Sequence, residues 1–195
     1  MTRNCRVNIL IFFLLGAVSL FGRDGILIDL ERVRFVQMAE DWLRTEIEIE
    51  ANRNPTAKNP GYVSEIRVGL ILSLQMEDGT FSFYRSDAEV VALEQNDSVT
   101  ISFLLPGIVL ERDEVREPFA YLVEIEVAGV PQPLTEESAS SNIRSNPRAL
   151  TSMKSRAEAE AEETDGILIP EYLAPIAYRN QKEPPVYRRR QPEAP

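Results

Sequence analysis

The sequence predicts an all-β protein: an antiparallel, immunoglobulin-like β-sandwich of about seven strands, followed by a C-terminal tail that contains a short helix. Three observations carry that reading. Apolar and polar residues alternate with a period of two from Ile26 to Val130, the pattern of strands with one face in a core. Clusters of Gly, Pro, Asn and Asp punctuate the alternating runs as turns. No helical pattern within that span is long enough for the crossover that parallel strands require, so the strands pair antiparallel and pack as two layers. A closed barrel is the alternative arrangement of the same strands.

Each element follows from its residues. Ile26, Ile28 and Leu30 share one face, and Val33 and Phe35 then fall on the other parity, which calls for a bulge or bend between them. Leu43, Thr45, Ile47, Ile49 and Ala51 alternate with Arg44, Glu46, Glu48 and Glu50. Residues 52–61 (NRNPTAKNPG) form a loop, because Pro55 and Pro60 cannot donate to a ladder. Tyr62, Ser64, Ile66, Val68, Leu70, Leu72, Leu74 and Met76 then line one face of a long strand. Its other face is mixed, which suits a central place in a sheet. Glu77-Asp78-Gly79 reads as a hairpin turn with Gly79 at positive φ. Phe81 and Phe83 point into the core with Tyr84 outside, and Ala88–Leu93 is a short strand or a single helical turn. Val99, Ile101, Phe103 and Leu105 form a strand stopped by Pro106-Gly107, and Phe119, Tyr121, Val123, Ile125 and Val127 form the last. Leu70 and Phe103 are expected in the core, and Glu48 on a polar face.

Outside the strands the composition changes. Residues 1–22 read as a signal peptide: Arg3 and Arg6 precede an apolar run, Ile9 to Phe21. That run is shorter than the roughly 20 residues of a membrane span. Small residues around Ala17 and Ser19 place the expected cleavage near Ser19 or Gly22. Cys5, the one cysteine, would leave with the leader, so no disulfide framework is expected and packing alone must hold the fold. The expected organisation is a β-sandwich over 23–134, a linker with a marginal helix over 135–166, and a Pro/Arg-rich tail over 167–195. Asn146-Pro147 reads as a helix start, with Asn at the cap and Pro at the first helical position. Arg148 to Thr164 is rich in helix formers but has a weak apolar stripe, and Gly166 ends it. The string Asp24-Gly25-Ile26-Leu27-Ile28 recurs as Asp165-Gly166-Ile167-Leu168-Ile169. The repeat reflects turn-then-strand chemistry, or two segments that enter the sheet in the same way.

The chain has no histidine, which removes Ser-His-Asp and Cys-His catalysis and zinc sites of the usual type. No P-loop, GxGxxG or GxSxG string occurs, and no cofactor is expected. Glu46, Glu48 and Glu50 lie on one strand face and read as a solvated surface rather than a calcium site. Glu111, Asp113 and Glu114, interleaved with Arg112, read as a loop with local salt bridges. Neither group sits on a recognisable catalytic scaffold, and the chain is read as non-enzymatic. Residues 23–133 hold 10 basic against 21 acidic side chains, a field that disfavours nucleic acid and anionic membranes. Phe81, Phe83 and Tyr84 keep a carbohydrate-binding or glycan-processing sandwich as the alternative function.

The tail carries the candidate partner-binding residues. Ile167, Ile169, Leu173, Ile176 and Tyr178 restore apolar character after a polar stretch. Unprotected in isolation, they should add a strand or lie along an exposed sheet edge, on this domain or on a partner. Arg188, Arg189 and Arg190 would then meet a carboxylate-rich surface.

Several strings together resemble a known group of proteins. They are the leader, Trp42-Leu43, Phe103-Leu104-Leu105-Pro106-Gly107 followed by Arg112, Tyr121 to Gly129, Tyr172-Leu173-Ala174-Pro175 and the Arg-rich end. The chain resembles the small exported β-sandwich proteins encoded beside type IV pilus machinery in Verrucomicrobiota-type bacteria. That resemblance spans most of the mature chain and includes no catalytic motif. It implies an accessory role in pilus or envelope assembly, a protein partner in the envelope, and a periplasmic or cell-surface location with no stable membrane span after cleavage. It assigns no functional residue.

Overall fold

The computed structural model describes residues 25–175, 178–179 and 185–188; the expected signal peptide lies outside them. The alternating runs become β1 Ile28–Gln37, β2 Leu43–Ala51, β3 Tyr62–Gln75, β4 Phe81–Glu94, β5 Ser98–Leu105 and β6 Ala120–Val127, with two-residue strands β7 Val130–Pro131 and β8 Ile169–Pro170. Four helical segments are α1 Gly107–Arg112, α2 Ser141–Arg144, α3 Pro147–Ala159 and α4 Ala161–Thr164. Two antiparallel sheets result, ordered β1-β2-β5-β8 and β4-β3-β6-β7. Among the described residues the chain crosses between sheets after β2, β4, β5 and β7, which makes an immunoglobulin-class sandwich rather than a closed barrel.

Local signals act where they stand in the sequence. The parity slip in β1 is a register shift between Leu30 and Arg32. At the β3–β4 hairpin Gly79 takes φ 81°, and Asp78 Oδ1 accepts from the Thr80 N–H at 2.9 Å. Gly107 is required for a different reason. A Cβ there would stand 2.2 Å from the Glu40 carbonyl, where the start of α1 meets the 39–41 turn.

Two expectations about β4 change. Phe81–Phe83 and Ala88–Leu93 belong to one continuous 14-residue strand, paired with β3 from Tyr62↔Glu94 to Gln75↔Phe81. Its faces are also exchanged. Tyr84 is the core residue, 1% exposed between the sheets, whereas Phe83 points to the outer face. Parity assigns Phe81 and Phe83 to a common face but cannot name it when both faces of a strand are covered. Leu70 and Phe103 are fully buried, as their parity requires.

What covers the outer face of the second sheet is the segment expected as a linker. Asn146 caps α3, its Oδ1 accepting from the N–H groups of Arg148 and Ala149 at 3.1 and 3.2 Å, and Pro147 occupies the first helical position. Met153 and Ala157 of α3, with Ile143 and Ala139 before it, are buried against Ile71, Phe83, Ala120 and Leu122 as a second apolar cluster. Lys154 Nζ holds Glu124 of β6 at 2.6 Å, and the Phe83 N–H donates to Glu160 Oε2 at 3.0 Å. A weak stripe suffices because a helix seated on a sheet needs few apolar contacts when its neighbours supply the rest.

The two copies of the DGILI string lead into β1 and β8, the opposite edges of one sheet, each strand starting at the last Ile. Their faces differ: Ile28 is buried at the first site, Leu168 at the second.

Candidate interaction site

The open side of a sandwich is the seam between the edge strands of its two sheets. Here that seam runs between β5 and β4, and the C-terminal segment fills it. Beyond α4, Gly166 turns the chain at φ 71°. Leu168 enters the inter-sheet core at 2% exposure, with Ile167 packed beside it. β8 then pairs Ile169 with Leu104 and Pro170 with Phe103. A proline is tolerated because β8 is itself an edge.

From the seam the chain turns onto the outer face of the first sheet. Glu171–Leu173 form a 3-10 turn, and Glu171 is 3% exposed with its Oε1 3.2 Å from Arg44 Nη2. Arg44 is also buried, and its Nη2 donates to the Tyr178 carbonyl at 2.9 Å. The Tyr178 ring stacks on Trp42 with centroids 4.6 Å apart, and its hydroxyl donates to the Glu40 carboxylate. That hydrogen bond to Glu40 raises the phenol above its ordinary pKa. Residues 185–188 return to the other side of the seam. Tyr187 stacks on Tyr172 at 4.5 Å and bridges Val90, while Val91 N–H donates to the Val186 carbonyl at 2.8 Å and Arg188 N–H to the Glu89 carbonyl at 2.7 Å.

Of the expected contact residues, Ile167 and Ile169 are half-buried in the seam, Tyr178 is half-buried on Trp42, and Leu173 and Arg188 are exposed. Ile176, Arg189 and Arg190 lie outside the described residues. The residues that anchor the segment include several that pattern reading passed over: Leu168, Glu171, Tyr172, Arg44 and Trp42. Arg44 sits on the polar parity of the cleanest alternating strand, so nothing local marks it as buried. An acidic residue flanked by Pro170 and Tyr172 inside an apolar run was the available signal at Glu171.

The remaining candidates are engaged locally. Arg34 pairs with Glu46, Arg32 Nη2 with Glu48 Oε2 at 2.7 Å, and Ser98 Oγ donates to Glu50 at 3.4 Å. Asp113 accepts from Arg112 Nε at 2.5 Å and from the Tyr84 hydroxyl at 3.2 Å. Burial, with the Asp113 charge, raises the Tyr84 phenol, against the opposing pull of Arg112. Among the described residues no group of three His, Cys, Asp or Glu side chains could hold a metal ion. An acidic hollow of about 820 Å³ lies between Phe35, Gln37, Asp41, Glu111 and Glu114. The aromatics near the hairpin do not form an exposed platform: Phe83 and Tyr84 are buried, and Phe81 packs edge-on against Phe119 at 5.0 Å. Among the described residues no helix is long and apolar enough to cross a membrane.

No protein-family model matches this chain, and no curated protein matches it. Among solved structures, the crystal structure of a protein from Akkermansia muciniphila is similar, with a TM-score of 0.58 and 14% sequence identity over 85% of this chain and 95% of that one. At that identity the likeness is one of fold. Its extent is informative. Even all of residues 1–134 would be about 69% of the 195-residue chain, so the shared fold reaches into the C-terminal segments.

Proposed function

We propose that this chain is a non-enzymatic, exported interaction protein of the bacterial cell envelope, an accessory factor in pilus or envelope assembly whose contacts are made through its C-terminal segment and sheet edges. One observation carries the reading: the C-terminal segment is built as an edge ligand. It adds short strand pairing to β5 and β4 and fixes its register with side chains, Glu171 on Arg44 and Tyr178 on Trp42. Proteins that recognise extended segments use this combination, with main-chain pairing for affinity and side-chain pockets for specificity. The fold likeness to a protein of Akkermansia, a genus of the Verrucomicrobiota, supports the lineage that the sequence resemblance names. Among the described residues β1 pairs as a strand only with β2, and the Glu136–Ser138 turn packs against it.

The test is capture from native envelope extract with the full mature chain and with a chain ending at residue 166. Recovery of pilus-machinery or other envelope-assembly proteins by the full chain, lost with the truncated one, is the expected result. Retention of polysaccharide by both chains, without protein recovery, would replace this reading with the carbohydrate-binding one.

A further inference from the structure

We infer that the C-terminal segment, described over 167–175, 178–179 and 185–188, is an exchangeable strap that docks on the β5–β4 seam of a second copy of this chain as it docks on its own. The inference rests on the interaction reading above and commits it to one partner.

Main-chain pairing between strap and sandwich is slight. β8 covers two residues of the eight-residue β5, and on β4 the strap bridges at Val90 with hydrogen bonds at Glu89 and Val91. Side chains hold the strap instead: Leu168 and the Tyr172–Tyr187 stack in the seam, Glu171 on Arg44, and Tyr178 on Trp42. Each of these contacts joins strap to sandwich, or strap to strap, so a second copy offers the same seat with the same complementarity. The Arg44–Glu171 pair fixes where the strap sits more than how firmly, since both charges regain water when it lifts. Among the described residues Arg44 Nε has no hydrogen-bond partner even with the strap docked, which lowers the cost of opening further. Docking in cis and in trans makes the same contacts, and concentration decides between them.

The hinge is as specific as the seat. Gly166 holds φ 71° between α4 and the strap, and the Ile167 N–H donates to the Thr164 carbonyl at 3.2 Å. A Cβ at Gly166 would meet nothing within 4 Å, so a side chain there strains the turn without disturbing packing. An extended strap at about 3.3 Å per residue is long enough to reach a neighbouring copy once that turn opens.

Paired charge reversals test the idea in the full mature chain. Arg44→Glu alone sets two carboxylates against each other, and Glu171→Arg alone sets two guanidinium groups against each other, so neither variant has a matched seat in itself or in its like. A one-to-one mixture has matched seats only by reciprocal exchange. The expected result is a light-scattering mass for the mixture twice that of either variant alone. The double reversal in one chain should return a monomer with a protected strap at low concentration. If the mixture keeps the monomer mass while the double reversal restores strap protection in hydrogen exchange, the strap serves only its own copy and the inference falls. Should the single reversals not fold cooperatively, Gly166→Val replaces them. Light and isotopically heavy chains, refolded together, should give more mixed-mass dimer in native mass spectrometry than wild type does. Absence of mixed dimers from both would overturn the inference. Envelope capture is read separately, so failure of exchange leaves the broader interaction reading to its own test.

Discussion

The two sheets share one core but differ on their outer faces. On the first sheet, Arg32 and Arg34 face Glu48 and Glu46, which stand opposite Thr100 and Ser102, a polar ladder whose arginines are exposed while Glu46, Glu48 and Thr100 are half-buried and Ser102 is buried. At its end Leu104 is fully buried beneath the C-terminal segment. On the second sheet, Ile71, Phe83, Ala120 and Leu122 are apolar and are covered by α3. The charged part of that face begins where the helix ends, with Arg67 bridging Asp87 and Glu126 at 2.9 and 3.2 Å. The difference teaches that a strand's outward parity records what will lie on it. A helix needs an apolar seat, and water needs a charged one.

The largest effect should come from the core that both sheets share. Leu70→Ala and Phe103→Ala are each expected to destabilise by about 2–5 kcal/mol through lost burial and a residual cavity. A shift in denaturant midpoint at constant slope is the readout. The covered outer face should come next. Met153→Ala is expected to cost about 2 kcal/mol, the lower end for a buried Met, because an apolar hollow of about 250 Å³ already adjoins it. A cost near zero would mean that α3 rests on the sheet without contributing to it, and the contrast between the faces would collapse. Asn146→Ala, which removes the cap, should cost about 1 kcal/mol on the same scale. On the open face, Glu48→Lys should cost less than about 1 kcal/mol, since it breaks a pair whose arginine is largely solvated. A penalty equal to that of Leu70→Ala would show that the ladder is a buried interface after all.

The smallest effect belongs to neither face. At the β3–β4 turn, a hydrogen bond and repulsion from Glu114 raise the Glu77 carboxyl above its ordinary value. An acid whose folded pKa is raised contributes stability that is present below its unfolded pKa and lost as pH rises through the folded one. Glu77→Gln should therefore flatten the pH dependence across the carboxylate range and leave the chain no less stable at neutral pH. Denaturant midpoints measured at acid and neutral pH check the sign.

Much of the sandwich could be read from residue order because its signals are local. The alternation of Leu43 to Ala51, the parity slip after Leu30, Gly79 in its turn and Asn146-Pro147 at the head of α3 each depend on backbone geometry within a few residues. The apolar character of Ile167 to Tyr178 likewise announced that this stretch needed cover. What the local pattern could not contain is which surface supplies the cover. Phe83 and Tyr84 exchanged faces because both sides of β4 are buried, one by the opposite sheet and one by a helix some 70 residues later in the chain. Arg44 reads as a solvent-facing residue until Glu171, far along the sequence, arrives beside it. The sequence by itself determined the strands, their turns, the helix start and the absence of histidine chemistry. Only the tertiary structure decided that the helix and tail are seated, and where. Burial belongs to a pair of surfaces, and one surface alone does not name its mate.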